Sequence, residues 1–122
     1  MEIEMKDIAY RSARWVARAI HEGILSSREY CEMLLARIET LDQDTNLVVT
    51  LDAERALREA DEADRKRAAG DILGPLHGVG MTVKDSYMTI GMRTTSGAPE
   101  LANFIPGRDA VPVARLRAAG AV

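Results

Sequence analysis

A chain of 122 residues with 16 lysines and arginines against 19 aspartates and glutamates has the size of one ordinary domain, which excludes a multidomain machine. A net charge of −3 offers no electrostatic reason to bind nucleic acid or an anionic membrane directly. With 47% hydrophobic and 29% charged residues the chain reads as globular rather than disordered or fibrous. One cysteine, Cys31, closes no intrachain disulfide, and with two histidines it cannot complete a four-ligand structural zinc site. No metal and a reducing, cytoplasmic setting are therefore expected. Met1 to Asp7 lacks the basic and apolar regions of a secretory signal, and no stretch approaches the roughly 18 apolar residues of a membrane span, so a soluble, unprocessed protein without a membrane partner is expected.

The first helical period runs from about Asp7 to His21, with Ile8, Ser12, Trp15, Val16, Ala19 and Ile20 on one face and Arg11, Arg14 and Arg18 on the other. Gly23 ends it as a C′ glycine. Ser26 stands three residues before Glu29 in a capping-box arrangement that opens a second helix, to about Thr40. Its inward stripe is Tyr30, Met33, Leu34, Ile38 and Leu41, and the short connection through Gly23 predicts that the first two helices pack against each other. Leu47-Val48-Val49-Thr50-Leu51 reads as a short strand. Asp52 is then the N-cap of a third helix, reaching about Ala69 and stopped by Gly70. Its narrow stripe of Ala53, Ala56, Leu57, Ala60 and Ala63 faces inward. The run from Glu54 to Arg67 interleaves both charge signs and reads as a solvated face.

After Gly70 the pattern changes. Gly74 to Gly78 forms a loop, and Val79, Met81 and Val83 alternate with Gly80, Thr82 and Lys84 as in a strand. Asp85 to Arg108, rich in glycine, threonine, serine and proline, is too long for a routine connection and reads as a functional loop. A last helix follows, with Asp109 as its N-cap, Pro112 in its first turn, Val113 and Leu116 inward and Gly120 as its stop. Strand, helix and the first step of another strand make half of a βαβ unit, which needs a sheet partner. The expected class is thus α/β, a single partial domain: a helical region over 1–70 with a short strand near 47–51, then the start of an α/β core over 71–122.

Lys84, at the carboxyl end of the predicted strand, sits where open α/β sheets place reactive groups, and a lysine desolvated there can act as a general base. A further reading comes from resemblance. Gly74-Pro75-Leu76-His77-Gly78-Val79-Gly80-Met81-Thr82-Val83-Lys84-Asp85, then Gly91-Met92-Arg93-Thr94-Thr95-Ser96-Gly97, then Arg108-Asp109-Ala110 and Ala114 to Val122 resemble in order and spacing the N-terminal part of the amidase signature family. Ser26 to Arg37, Asn46 to Leu51 and Asp52 to Ala56 are similar to it too, so the resemblance covers nearly the whole chain.

That family's enzymes have a mixed sheet sandwiched between helices, and they hydrolyse or transfer the nitrogen of small-molecule carboxamides. They use a nucleophilic serine, a second serine preceded by a cis peptide bond, and a lysine that takes the proton through that second serine. The resemblance places Lys84 at the catalytic lysine and implies no metal or organic cofactor. The family's two serines lie in a downstream stretch that this sequence does not contain, so the chain alone is expected to be inactive. Substrate-binding residues stay unassigned. Two other readings remain: the ammonia-releasing component of a glutamine-dependent aminoacyl-tRNA amidotransferase, and a non-catalytic helical interaction module forming a homodimer at the edge near Val122.

The remaining candidates have blander readings. Ser86 is two residues from Lys84 and Ser96 lies in the loop after Gly91, but neither falls at a nucleophile position of the family pattern, and Thr94-Thr95-Ser96-Gly97 reads as turn chemistry. His77 is a packing or hydrogen-bonding residue of a tight loop. Cys31 is a buried thiol, and Asp85 caps a loop rather than pairing with Lys84. Gly80 stands where the family commonly has proline, which would loosen the chain leading to Lys84.

Overall fold

The computed structural model describes residues 5–122, so most of the Met1–Asp7 stretch read for a secretory signal lies outside the described residues. Five α-helices follow in order: α1 (Met5–Ile8), α2 (Ala13–His21), α3 (Ser27–Leu41), α4 (Ala53–Ala68) and α5 (Val111–Ala118), with a 3₁₀ turn at Pro99–Leu101. The single helix expected over Asp7–His21 is broken. Tyr10 and Arg11 close onto the carbonyls of Asp7 and Ile8, and the Ser12 hydroxyl accepts the Trp15 amide as the N-cap of a new helix. Ser12 therefore starts α2 instead of lining it, because its side chain satisfies an amide that a helix start leaves orphaned.

The caps and stops of the next two helices act as the sequence indicates. Ser26 and Glu29 form the full capping box, with the Ser26 amide donating to Glu29 Oε2 at 2.9 Å and the Glu29 amide donating to Ser26 Oγ at 3.0 Å. Asp52 Oδ1 accepts the Arg55 amide at 3.0 Å and caps α4. Gly23, Gly70 and Gly120 each follow a helix with positive φ. At each, two amides reach back to the last turn, as Ile24 and Gly23 do to Ala19 and Ile20, which is the Schellman ending.

Val16, Ala17, Ala19 and Ile20 of α2 form the core with Ile8, Leu25 and Val79, and Trp15, Tyr30 and Met33 pack around them. Val16 and Ile20 are wholly buried, each worth about 1.5–3 kcal/mol of transfer free energy. Tyr30 and Met33 of α3 pack against the α2 core as the short connection predicts, while the helices that run side by side are α3 and α4. The reason is chemical as well as steric: the buried Ala60 and Ala63 let α4 approach closely, and Asp64 of α4 caps the neighbouring helix. Its two carboxylate oxygens accept the Ser27 and Arg28 amides at 2.8 and 3.0 Å, filling the positive end of α3.

No strand forms among the described residues, which corrects two expectations. Over 47–51 there is no neighbouring chain to pair with, and the Leu47 and Val48 amides donate to the Asp42 carboxylate at 2.6 and 3.0 Å instead. Val79 to Met81 does find a partner, but a short one. The Val122 amide donates to the Val79 carbonyl at 2.9 Å and the Met81 amide to the Val122 carbonyl at 3.0 Å, the hydrogen-bond alternation of a parallel ladder. Asp109 is also not the cap of α5. The N-cap is Ala110, and Asp109 Oδ1 instead accepts the Ile90 amide at 2.7 Å. Pro112 sits in the first turn and Val113 faces inward.

The helix ends have two measurable consequences. Gly70 and Gly120 share positive φ, but a Cβ on Gly70 would meet nothing within 4 Å whereas one on Gly120 would lie 2.7 Å from His77 Cα. Gly70→Ala should cost about 1–2 kcal/mol and Gly120→Ala at least about 2–3 kcal/mol more, compared by urea denaturation. Hydrogen bonds from the Ser26 amide and hydroxyl hold the Glu29 carboxyl below its ordinary value of 4.5. Its contribution is therefore complete above that pH and lost as pH falls through the lowered folded value. Glu29→Gln keeps an acceptor but does not titrate, so the stability advantage of the wild type over this variant should shrink progressively below about pH 4.5.

Candidate functional site

The segment that carries Lys84 is locked at its start and open at its end. Leu76 and Gly78 amides donate to the Ala119 and Gly120 carbonyls, both at 2.9 Å. Ser27 Oγ, fully buried, donates to the Gly78 carbonyl at 2.7 Å. Gly74 and Gly78 allow this approach: a Cβ on Gly74 would lie 2.3 Å from the Ala119 carbonyl oxygen, and one on Gly78 2.9 Å from Ser27 Cβ. His77 is buried, with Nε2 2.8 Å from the Ala63 carbonyl, and since a carbonyl only accepts, Nε2 carries the proton. The His21 ring stands edge-on to it at 6.3 Å. His77 is thus a packing residue, as its tight loop indicates. At Gly80 a Cβ would meet the tip of Leu34 at 2.7 Å, so glycine here permits Leu34 to close over the backbone.

From Met81 to Lys84 every residue is exposed. The Tyr87 amide donates to the Lys84 carbonyl at 2.9 Å and turns the chain immediately after the lysine. Lys84 itself reaches water, so the desolvation a general base needs is not supplied by the surrounding described residues. Met81, Val83 and Tyr87 flank it as exposed apolar side chains.

Asp85 holds a loop, with no ion pair to Lys84 among the described residues. Its carboxylate accepts the Thr95 amide at 3.0 Å and the Thr95 hydroxyl, while its carbonyl accepts the Ser96 amide at 2.9 Å. The Thr95 hydrogen bonds, aided by the charges of Arg93 and Lys84, hold the Asp85 carboxyl below its ordinary value of 3.8. Ser96 and Gly97 both take positive φ, so this stretch is turn chemistry as expected. Lys84, Asp85, Thr95 and Ser96 are thereby brought together, and Ser86 lies exposed in the turn between the lysine and Tyr87.

The rest of the 85–108 loop is held by backbone pairs, from Gly91 to Pro106, Thr94 to Phe104 and Ala110 to Met88, and by charges that the sequence assigns to a solvated face. Arg55 donates to the Ile90 carbonyl at 2.6 Å and to Glu59 at 3.0 Å. Arg117 joins Glu59 at 3.1 Å to Asp109 at 3.4 Å. The expectation of a solvated face holds for Glu54, Arg58, Glu62, Arg65 and Lys66, which pair within α4. It fails for Arg55 and Glu59, which pair within α4 but also reach partners 35 or more residues away, and for Asp64, whose partners lie on α3. Spacing along one helix carries no signal for such partners.

Cys31 is buried, and burial pushes its thiol up. No group of three or more His, Cys, Asp or Glu side chains that could hold a metal occurs among the described residues. Nor is any described helix long and apolar enough to cross a membrane.

Comparison with known proteins accounts for this arrangement. Residues 29–122 match the amidase family. The A-type component of the glutamyl-tRNA(Gln) amidotransferase of Geobacter sulfurreducens is 49% identical over 98 residues, covering 80% of this chain and 20% of that protein. The native peptide amidase from Stenotrophomonas maltophilia superposes with a TM-score of 0.86 at 37% identity, over 93% of this chain and 24% of that one. A fatty acid amide hydrolase superposes with a TM-score of 0.89 at 29% identity over 100% of this chain and 22% of that one. The chain therefore spans about a fifth to a quarter of the length of these relatives. The match over most of the sequence, together with the fold shared with solved amide hydrolases, shows that the chain belongs to the amidase signature family.

Proposed function

We propose that this chain supplies the lysine of a carboxamide-cleaving enzyme, with Lys84 accepting a proton through one serine while another attacks the substrate carbonyl. Both serines belong to protein outside the present sequence. The observation that carries the reading is the placement of Lys84 at the exposed end of a segment fixed by hydrogen bonds to α3 and to the end of α5. In this chemistry the serine oxygen bonds to the carbonyl carbon, its proton passes by way of the second serine to the neutral lysine, and ammonia or an amine leaves with a proton returned to it. Water then releases the acid. Further strands pairing beside Val79–Lys84 would bury Met81, Val83 and Tyr87 and take Lys84 out of water, completing the mixed sheet that the resemblance implies. The parallel hydrogen bonds between Val122 and Val79–Met81 support this.

The relative at 49% identity favours a second reading, in which the whole protein releases ammonia from glutamine as one component of an amidotransferase. The third reading, a homodimer joined at Val122, is weakened because the Val122 amide and carbonyl are already taken within the chain. Without other parts of the protein the 122 residues should release no ammonia from any carboxamide.

The first test is the intact mass of the protein from its native source, followed by ammonia release from L-glutamine, a C-terminally amidated peptide and benzamide at that native length. Turnover of glutamine only with partner proteins present selects the amidotransferase reading. Turnover of the other amides alone selects the amidase reading, and turnover of none of the three refutes both. In whichever reaction runs, Lys84→Ala should lower kcat by about a hundredfold or more.

A further inference from the structure

We propose that Asp85 is a positioning residue for Lys84: it anchors the turn that follows the lysine to the Thr95–Gly97 loop and so fixes where the lysine side chain starts. The inference rests on the reading of Lys84 as the proton acceptor. Among the described residues no hydrogen bond or ion pair holds the lysine side chain itself in place. It is exposed, and no ion pair joins it to a carboxylate among the described residues. Its backbone is defined from the far side, by the Tyr87 amide closing on the Lys84 carbonyl at 2.9 Å and by Asp85.

Asp85 makes three contacts to two successive residues, accepting the Thr95 amide at 3.0 Å and the Thr95 hydroxyl through its carboxylate, and the Ser96 amide at 2.9 Å through its carbonyl. The far loop is itself rigid. Gly97 donates to Thr95 Oγ1 at 3.1 Å, Ala98 to the Thr95 carbonyl at 2.8 Å, and Thr94 to the Phe104 carbonyl at 2.9 Å. The arrangement also removes a competitor. The Lys84 charge acts on the Asp85 carboxylate, and engagement by Thr95 keeps that carboxylate from closing on the ammonium. Aspartate suits the task because its short side chain brings both oxygens to the amide and hydroxyl of one residue.

The test has two parts with separate meanings. At native length and without substrate, Asp85→Ala should speed hydrogen exchange of the Thr95 and Ser96 amides about tenfold or more while leaving the α2 core amides unchanged. Unchanged exchange at Thr95 overturns the anchor whatever the catalysis shows. At native length, with L-glutamine or the amidated peptide as substrate, Asp85→Ala should lower kcat about tenfold with KM unchanged. Asp85→Asn, which keeps an acceptor for the Thr95 amide, should recover most of that loss. Thr95→Val, which removes the hydroxyl's contact to Asp85 and the acceptor of the Gly97 amide but leaves Lys84 to Tyr87 unchanged in sequence, should lower kcat several-fold and serves if Asp85→Ala does not fold. Wild-type kcat in both Asp85→Ala and Thr95→Val, a loss confined to KM, or Asp85→Asn no better than Asp85→Ala overturns the proposal. A Lys84→Ala protein that still turns over removes instead the reading beneath it, and the exchange result identifies that case because it does not depend on turnover.

Discussion

The first turn of α3 is the joint on which the rest of this structure depends. Its orphan amides at Ser27 and Arg28 point at the Asp64 carboxylate of α4, and the buried Ser27 hydroxyl holds the Gly78 carbonyl. One helix end thereby fixes both a second helix and the start of the segment that ends at Lys84. Each contact is between groups that would be costly to bury alone, the carboxylate most of all. Together they exclude small rearrangements that hydrophobic contact alone would tolerate. Glycine at position 78 is part of the same joint, because a side chain there would collide with Ser27.

From that joint order is carried outward by backbone pairing and then by charge. Gly74 to Met81 is held to the end of α5 by amide–carbonyl bonds at Leu76, Gly78, Met81 and Val122. The loop beyond Lys84 is held to α4 and α5 by Arg55, Glu59, Asp109 and Arg117. Surface ion pairs of this kind are individually weak. Here the first contact ends on a backbone carbonyl and the pairs share members, so their value is geometric. The result is a loop of more than twenty residues that keeps a defined course with a single 3₁₀ turn, and a lysine whose backbone is defined on both sides while its side chain is exposed.

Much of the helical half is legible in the sequence, and the reason is that its signals are local. Ser26 with Glu29, Asp52, and the glycines at 23, 70 and 120 all act on backbone groups within about four residues of themselves. Ser12 carries the same kind of signal, but the apolar period across Ile8 and Trp15 masks it, and only the observed cap separates α1 from α2. The strands are another matter. Leu47–Leu51 has the composition of a strand and no partner, so its amides turn to Asp42. Val79–Met81 has a partner for one residue only. Strand composition states a capacity to pair, while a strand itself exists only where a second chain segment meets it.

The sequence by itself determined where α3 and α4 begin and end, most of the residues that line the buried face of α2, and, through the order of its glycine-rich motifs, the family. Tertiary structure alone decided that α3 lies along α4, that Asp109 serves Ile90 rather than capping α5, and that Asp64 and Arg55 leave their own helix to hold a neighbour. The division follows from distance along the chain. Caps and stops are chosen among groups already adjacent, whereas Ser27 finds Asp64 and Gly78 across separations of 37 and 51 residues. Those pairings are set by which surfaces fit once the chain has closed on itself, and no local spacing encodes that choice.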